Sequence, residues 1–392
     1  MSRDAAPNMG EMLSERPHYF ANTSIFLSPD ILEGINEQIN AIESVIKSPG
    51  YRAAVMDKPR PKHISPGVFM GYDFHITQDG PRLIEINTNA GGAFIVDMIE
   101  QTNGSGTGKF GEHIADMFRR EWEGAGRSGA LKTIAIVDTA PKDQFHYPDM
   151  CLAKTLLEDH GLSVVITDPS ELHISKGQLF FGRTRIDMIY NRLTDFDLSE
   201  PENAVVRQAF DDGAAVVTPA PHHHRLYADK RNLILLSDSN ALSAIGASPA
   251  QIRTLAAIPT TRQVTAELGE QFWAERKSLF FKPQAGFGSR GAFRGAKLTK
   301  RVWGEILEGG YIAQARVSPP LRAVTVDDAK STLKFDVRIY TYDGQPLILG
   351  ARIYQGQTTN LRTQGGGLAA VIPIASESFS SPQHYLNSCR RD

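Results

Sequence analysis

A short stretch near the amino terminus brings three oxygen-bearing side chains into one predicted β-hairpin. Residues 71–87 contain two runs of strand-forming residues separated by the turn signal Gln78-Asp79-Gly80-Pro81. Glu85 and Asn87 are two positions apart and share one face of the second strand, which Asp73 on the first strand can reach. Mg²⁺ typically takes one or two carboxylates and completes its shell with water and substrate phosphates. The hairpin therefore indicates a magnesium site, with a solvated hairpin edge as the alternative when the motif is taken alone.

A second cluster combines a lysine with a glycine-rich loop. An apolar strand that begins at Leu279 delivers Lys282, and the following loop contains Gly286, Gly288, Ser289 and Gly291. Because glycine has no Cβ, successive N–H groups of such a loop can face an anion, and the lysine adds a compact positive charge. The loop lacks the Gly-Lys-Ser/Thr of a Walker motif, and residues 292–296 suit a strand better than a helix. The pattern predicts a phosphate-binding hairpin lid, and the alternative is an ordinary glycine turn.

A third cluster places two arginines on a second hairpin. Alternating residues around 334–340 and 351–353 flank an Asp-Gly turn, so Asp336 and Arg338 share a face of one strand and Arg352 lies on the returning strand. A guanidinium offers a fixed fork of donors that can grip a transferring phosphoryl group or a carboxylate. The alternative is ordinary cross-strand pairing between aspartate and arginine.

The remaining elements supply a core and a second α/β unit. Ser28-Pro29-Asp30 predicts a helix start, and isoleucines at helical spacing from Ile31 to Ile46 predict its buried stripe. The glycine-containing stretch 123–129 is the best candidate for a linker. Beyond it, we predict a helix over 149–160 and strands at 133–137, 163–167, 186–190 and 214–217. This alternation predicts a small, mostly parallel sheet covered by helices.

Composition narrows the classes of protein. The chain has 392 residues, 41% of them hydrophobic and 22% charged, and a formal net charge of -2. This balance gives no support for nucleic-acid binding. Cys151 and Cys389 are far apart, which favours a reducing compartment over a disulfide framework. No apolar run is long enough to span a membrane, so we expect a soluble, cytoplasmic protein. The oligomeric state is open, with a homodimer as one option.

Taken together, the three clusters resemble the ATP-grasp superfamily, and its glutathione synthetase-like branch in particular. In that family one lysine precedes the lid, a second lies in a Lys-Pro strand, and a hinge strand binds adenine. Here Lys230, Lys282 and the strand Tyr311–Ala315, which contains Gln314, stand in those places. The family's Asp-x-Arg strand, following arginine, asparagine and paired glycines resemble Asp336, Arg338, Arg352, Asn360 and Gly365-Gly366. Its metal hairpin resembles Asp73, Glu85 and Asn87, and the similarity spans residues 66–374.

The order of the motifs differs from the usual family order. The metal hairpin normally comes last, whereas here it precedes the other motifs, so the chain looks circularly permuted, as in proteins resembling glutathionylspermidine synthetase. Residues 65–95 must then pair with the strands near 334–372. The resemblance implies a mixed α/β (α+β) ATP-grasp fold. We divide it into residues 1–125 (the permuted part of the core with the metal hairpin), 130–225 (a small parallel-sheet pre-ATP-grasp substrate domain), 226–310 (the lid subdomain) and 311–392 (hinge, core strands and tail).

The resemblance also implies a reaction and its participants. The family joins a carboxylate to an amine or thiol through an acyl phosphate, using ATP and Mg²⁺, with two ions expected and Mn²⁺ as a substitute. Arg352 and Arg338 would be catalytic, and Asp73, Glu85 and Asn87 would bind metal. The nucleotide would contact Lys230, Lys282, Gly286, Gly288, Ser289, Gly291, Gln314, Asp336 and Asn360. The carboxylate and amine substrates, which we expect to be small molecules, would meet Asn89, Gly91, Gly92, Asn191, Arg192 and Arg362.

Two other functions stay open at this point. One is a regulatory or inactive member of the fold that binds a nucleotide without turnover. The other is a phosphotransferase that uses a phosphohistidine, for which the run His222-His223-His224 is the candidate. The same run has only a weak claim to be a metal site, because three consecutive imidazoles cannot all face one ion on a strand or helix. A surface ion pair with Asp195 or Asp197 is the alternative for Arg192.

Overall fold

The computed structural model describes residues 9–16, 18–56, 65–286, 288, 291–326 and 329–374, and Ser289 and Cys389 lie outside them. The helices are α1 (Met9–Ser14), α2 (Pro29–Lys47), α3 (Pro49–Val55), α4 (Ala93–Thr102), α5 (Phe110–Gly124), α6 (Tyr147–Asp159), α7 (Ala204–Asp211), α8 (Pro221–His223), α9 (Asn232–Leu236), α10 (Ser239–Ala244), α11 (Pro249–Leu255), α12 (Gly269–Glu275) and α13 (Lys300–Leu307). The strands are β1 (Ile25–Leu27), β2 (Met70–Thr77), β3 (Gly80–Asn87), β4 (Thr133–Val137), β5 (Ser163–Thr167), β6 (Leu172–Ser175), β7 (Gln178–Phe181), β8 (Thr184–Ile186), β9 (Met188–Asn191), β10 (Val216–Thr218), β11 (Thr261–Gln263), β12 (Leu279–Pro283), β13 (Phe293–Arg294), β14 (Tyr311–Ala315), β15 (Leu321–Val326), β16 (Ala329–Tyr342), β17 (Gln345–Tyr354) and β18 (Gly367–Pro373).

The largest sheet joins the two ends of the chain. Its order is β1-β18-β17-β16-β2-β3, and β15 pairs with β16 as well. Strands β2 and β16 run antiparallel with Asp73 opposite Arg338 and Phe74 opposite Val337. The predicted pairing of the amino-terminal hairpin with the strands near 334–372 is therefore confirmed, while the circular permutation itself stays a prediction.

Both predicted hairpins of this sheet form. The β2–β3 turn lies at the expected Gln78-Asp79-Gly80 segment, and the β16–β17 turn lies at Asp343-Gly344, where both residues have positive φ. A bulge after Asp73 shifts the register of β2 against β3, so that Asp73 lies opposite Glu85. Bulges redirect side chains locally. The bulge thus brings the two carboxylates onto directly paired positions.

A second sheet is fully parallel, with the order β10-β9-β4-β5. It confirms the predicted α/β unit, with β4 and β5 at their predicted positions. The prediction of one strand over 186–190 is wrong in one respect, because the chain forms two strands that are separated at Asp187. Ile186 ends β8, and β8 pairs with β7 in a separate antiparallel sheet. Strand β4 has β5 on one side and β9 on the other. The carboxyl ends of β4 and β9 therefore flank the point where the strand order reverses, where ligands commonly bind in such sheets.

The third sheet belongs to the lid segment and has the order β11-β14-β12-β13. Its core is aromatic and includes Phe272, Phe281 and Trp303. Strand β13 pairs with β12, which confirms the strand predicted after the glycine-rich loop. Strand β14 pairs with both β11 and β12, so this unit extends past the predicted boundary at residue 310.

Helix α2 anchors the core under the large sheet. Its predicted isoleucine stripe is confirmed at Ile35, Ile39, Ile42 and Ile46, which are at most 1% exposed, and Ile31 is partly buried. Among the described residues, we find no helix with the length and apolar character needed to cross a membrane.

Truncating this stripe tests the packing. Ile42 is completely buried, so Ile42→Ala should lower the free energy of unfolding by about 2–5 kcal/mol through lost transfer energy and a cavity. Chemical denaturation measures the change. The matched control is Glu37→Ala on the exposed side of α2, which should stay within about 0.5 kcal/mol. Equal losses for both variants would contradict the assignment of the buried face.

Candidate active site

A cleft of about 660 Å³ lies where the large sheet, the lid sheet and the parallel sheet meet. Most of the residues that the sequence singled out line it. They are Asp73, Glu85, Asn87, Asn89, Gly91, Arg192, Lys230, Lys282, Gly286, Gly288, Gln314, Arg338, Arg352, Asn360 and Arg362. Three predicted clusters from distant parts of the chain thus share one cavity.

Asp73 is the centre of this cleft and is 1% exposed. Arg338 donates to it through Nε at 2.6 Å and Nη2 at 2.7 Å, and the Nη2 of Arg352 donates at 2.7 Å. The side-chain amide of Asn87 adds a fourth donor at 3.1 Å. Burial alone would raise the pKa of Asp73, but the two guanidiniums hold that pKa well below its ordinary value. Asp73 is therefore a permanent anion between two cations.

Arg352 is fixed by a second buried carboxylate. Its Nε donates to Asp336 at 2.7 Å, and the other oxygen of Asp336 accepts from the Thr359 hydroxyl at 2.6 Å. Asp336 is completely buried and does not line the cleft. The prediction that it contacts the nucleotide is therefore not supported by the geometry, which makes Asp336 a positioning residue for Arg352.

Lys230 pairs with Glu85, and Lys282 contacts the neighbouring residue Ile84. The Nζ of Lys230 lies 3.0 Å from the Glu85 carboxylate and donates to the Gly286 carbonyl at 2.8 Å. Lys282 donates to the Ile84 carbonyl at 2.7 Å and to the Gln314 side chain at 2.9 Å. Burial would raise the pKa of Glu85, but both lysines hold it below its ordinary value. Burial lowers the pKa of Lys282 from 10.5 to about 8, although Glu85 opposes that shift.

Asn360 and Arg362 come from the loop between β17 and β18. Asn360 accepts from the Arg362 backbone N–H at 3.2 Å and from the Thr363 hydroxyl at 2.8 Å, and its amide donates to the Gln355 carbonyl. These bonds shape the loop around the side chain. The guanidinium of Arg362 lies over the Phe145 ring at 5.8 Å. Both residues line the cleft, but neither contacts the central ion pairs.

Besides Asp336, three further predicted residues in the described part of the chain do not line the cleft. Gly92 donates its N–H to Asp149 at the start of α4, and Asn191 uses both ends of its amide on the backbone of Pro219 and Leu193. Because these polar groups already form hydrogen bonds with other parts of the chain, they are unavailable to a substrate. Gly291 also lies outside the lining, and the predicted contact of Ser289 falls outside the described residues.

The alternative reading of Arg192 as a surface residue is wrong. Arg192 is 7% exposed, and its Nη1 donates to the Asn89 carbonyl at 2.9 Å and to the Tyr190 hydroxyl at 3.2 Å. Asp195 instead accepts bonds from the segment at Ser199 and beyond. Arg192 therefore links the parallel sheet to the segment after the metal hairpin.

Sequence reasoning missed Asp138 and His146, which also line the cleft. Asp138 directly follows β4, so the rule that ligands bind beyond the carboxyl ends of parallel strands could have found it. His146 has no comparable signal. Its Nδ1 bonds the Tyr19 hydroxyl, and burial together with the charges of Arg192 and Arg338 lowers its pKa to about 3. The imidazole is neutral at physiological pH.

The histidine run lies away from the cleft lining. His223 is 1% exposed and bonds the Ser65 carbonyl and the Ala220 N–H, and His224 stacks on Phe196. Burial lowers the pKa of all three imidazoles. These contacts are those of core residues and lend no support to a phosphohistidine.

The donor set at the hairpin fits a hard cation that brings ligands of its own. Glu85 and Asn87 are partly exposed beside the buried Asp73, and all three side chains contain an oxygen that could bind a metal, although the Asp73 oxygens accept from Arg338, Arg352 and Asn87 in this structure. Within the part of the chain that is described, no group of three His, Cys, Asp or Glu side chains could hold a metal ion alone. Two carboxylates and an amide suit Mg²⁺ when phosphate and water complete the shell.

No family model matches this chain, and no curated protein matches its sequence. Solved structures do match. A glutathione synthetase-like effector from Globodera pallida, in its apo form, is 9% identical over 94% of this chain and 96% of its own, with a TM-score of 0.58. A putative γ-glutamylcysteine synthetase from Methylobacillus flagellatus KT is 10% identical over 88% and 86%, with a TM-score of 0.50. The ATP-grasp ligase PsnB, complexed with a precursor variant, Mg and ADP, is 15% identical over 61% and 91%, with a TM-score of 0.30.

At such low identity, the first two similarities concern the fold. Both extend over most of each chain, and they agree with the mixed α/β arrangement of sheets around one cleft. This chain therefore shares its overall fold with the glutathione synthetase-like effector and the putative γ-glutamylcysteine synthetase.

Proposed function

We propose that this protein is an ATP-dependent ligase that joins a small carboxylate, such as an amino acid or peptide, to an amine or thiol through an acyl phosphate. The observation that carries the proposal is the meeting of Arg352 with Asp73 at 2.7 Å. This contact joins the hairpin that contains Arg338 and Arg352, which would bind the transferring phosphoryl group, to the predicted metal-binding hairpin in one cleft. The same cleft contains the two lysines that would bind phosphates.

The charges in the cleft favour a ligand that carries both signs. Lys230 pairs with Glu85, and Arg338 and Arg352 pair with Asp73. A bare polyphosphate that drew these cations away would leave buried carboxylates without partners, which is costly. A nucleotide with bound Mg²⁺ supplies an anion for the lysines and arginines and a cation for the carboxylates. This exchange of partners supports Mg-ATP as the nucleotide substrate.

The metal would be held by Asp73, Glu85 and Asn87, and we expect two Mg²⁺ ions, with Mn²⁺ as a substitute. When bound, such an ion neutralises charge on the β- and γ-phosphate oxygens. Lys230 and Lys282 would bind the α- and β-phosphates. Gln314 accepts a hydrogen bond from Lys282 and so holds that ammonium group in place.

In the first step, a substrate carboxylate oxygen attacks the γ-phosphorus, the bond to the β-γ bridging oxygen breaks, and ADP leaves. In the second, the amine or thiol attacks the acyl carbon, phosphate leaves with the bonding electron pair, and the nucleophile loses its proton. No nucleophilic side chain is required. Arg352, held by Asp336, and Arg338 would neutralise the transferring phosphoryl group. The glycine-rich lid would keep water from the acyl phosphate.

Removing a proposed metal ligand should abolish turnover. We expect Mg-ATP to release ADP in the presence of one carboxylate and nucleophile pair from a screen of amino acids, short peptides and polyamines. Glu85→Ala should reduce kcat/KM by about 100-fold or more. The control is Asp79→Ala at the tip of the same hairpin, where the side chain is 83% exposed. Nucleotide binding without substrate-dependent ADP release would instead identify a regulatory, non-catalytic protein.

Arg352 should act mainly on the chemical step. Arg352→Lys keeps the positive charge but loses the guanidinium that donates to both Asp336 and Asp73. We therefore expect kcat to fall by about 10²- to 10³-fold. Affinity for a non-hydrolysable Mg-ATP analogue should change much less. Arg119→Lys, on the exposed side of α5, is the matched control. An unchanged kcat would contradict the role of Arg352.

Nucleotide affinity should depend on the protonation of Lys282. Because its pKa is lowered to about 8, the ammonium is charged below that pH and loses its proton above it. The apparent Kd for a Mg-ATP analogue should therefore rise between pH 7 and 9, approaching ~10-fold per pH unit at the upper end. Isothermal titration calorimetry measures this. Lys282→Arg should remove the dependence, since a guanidinium stays charged. A flat wild-type profile would count against Lys282 as a phosphate contact.

A further inference from the structure

We propose that the end of the cleft formed by Asp138, Arg192 and Asn89 binds a small zwitterion. Its carboxylate would contact Arg192, and its primary ammonium group would contact Asp138 and Asn89. This inference deepens the proposed function, because it names the chemical class of one substrate. The binding itself requires no turnover of ATP.

The fold places the two charged residues side by side. Val137 at the end of β4 pairs with Asn191 at the end of β9, and Asp138 and Arg192 are the next residues of each strand. Both lie at the carboxyl edge of the parallel sheet, where its strand order reverses. Such an edge opens a crevice between the loops that leave adjacent strands in opposite directions. Here the crevice opens into the main cleft.

Arg192 and Asn89 each have a polar atom that lacks a partner. Arg192 is 7% exposed, and its Nε is buried without a hydrogen bond although Nη1 makes two. Asn89 donates to the Leu193 carbonyl at 3.1 Å, but its Oδ1 is buried without a partner. An unsatisfied buried donor or acceptor is destabilising, so native structures rarely contain one without a functional reason.

Asp138 lines the same end of the cleft and is partly exposed. One of its oxygens accepts the Thr139 N–H at 2.8 Å, and among the described residues no cation forms an ion pair with it. Burial raises its pKa to about 6, although the charge of Arg192 opposes that shift. A half-buried carboxylate in a cleft without a cationic partner is a candidate for binding a ligand cation.

Asp138 and Arg192 follow directly paired strand ends, and no ion pair joins their side chains in the part of the chain that the structure describes. A ligand that carries only an anion would satisfy Arg192 and leave Asp138 and Asn89 unpaired. A ligand that carries only a cation would satisfy Asp138 and Asn89 and leave Arg192 without an anionic partner. A molecule with both a carboxylate and an ammonium group satisfies the donor and both acceptors at once. Gly91 packs closely against Arg192, since an added Cβ there would lie 2.8 Å from Nη2 of Arg192.

Binding without nucleotide tests this site. The probes are the common α-amino acids, β-alanine, γ-aminobutyrate and glycylglycine, each compared with its N-acetyl and carboxamide derivatives by thermal shift and calorimetry. At least one zwitterion should bind the wild-type protein, and both of its derivatives should bind at least tenfold more weakly. Equal binding of the N-acetyl form would overturn the proposal in favour of a simple anion site. Failure of every zwitterion to bind would overturn it as well.

Asp138→Asn supplies the second arm. It keeps an oxygen for the Thr139 N–H but removes the charge, so affinity for the selected zwitterion should fall at least tenfold. Asp187→Asn is the matched control at the opposite edge of the same sheet, where Asp187 accepts backbone N–H groups of residues 132 and 133. The affinity of the Asp187→Asn variant for the selected zwitterion should not change. Unaltered binding by a folded Asp138→Asn variant would contradict the assignment.

The same variants separate this inference from the proposed function. Asp138→Asn should bind a non-hydrolysable Mg-ATP analogue as the wild-type protein does, because the lysines and the metal hairpin are intact. Zwitterion binding by a wild-type protein that binds no nucleotide would support the site and refute the ligase. Substrate-dependent ADP release that is unchanged in Asp138→Asn would support the ligase and refute the zwitterion site.

Discussion

The carboxylate of Asp73, buried between two guanidiniums, is the interaction on which this site depends. Arg338 and Arg352 come from strands more than 250 residues further along the chain. Their hydrogen bonds to Asp73 join the amino-terminal hairpin to the carboxyl-terminal strands at the floor of the cleft. Breaking such a buried pair from one side typically costs about 3–5 kcal/mol, because the remaining charge has no partner. The ion pairs of Asp73 therefore both hold the strands of the large sheet together and set the charges at the floor of the cleft.

The ion pairs of the cleft also explain how it can accept a highly charged ligand. Every cation proposed to bind phosphate has a described partner: Lys230 pairs with Glu85, Lys282 contacts two oxygens, and the arginines share Asp73. These contacts hold the side chains in place before a ligand arrives, which reduces the entropy lost on binding. The same contacts favour a metal-bound nucleotide, since each displaced carboxylate then gains a cation.

Three structural units contribute to the cleft in different ways. The large sheet supplies rigid strands for the carboxylates and arginines. The lid sheet supplies Lys282, which we propose to bind phosphate. The parallel sheet supplies Asp138 and Arg192, and the buried Nε of Arg192 without a hydrogen bond distinguishes this end of the cleft from the ion-paired floor at Asp73. The division separates the groups proposed for phosphoryl transfer from those proposed to select the substrate.

The sequence by itself determined the local geometry of the site. Alternation with a period of two predicts that Glu85 shares a face with Asn87 and Asp336 with Arg338, and turn residues such as Asp343-Gly344 predict where the strands reverse. The resemblance to the ATP-grasp superfamily, rather than any single motif, implied that the first hairpin pairs with the last strands. Only the tertiary structure decided that Asp336 lies beneath Arg352, that Asn191 turns to the backbone, and that Asp138 lies beside Arg192. These outcomes depend on which strands become neighbours, and such long-range packing leaves no periodic trace in any single segment.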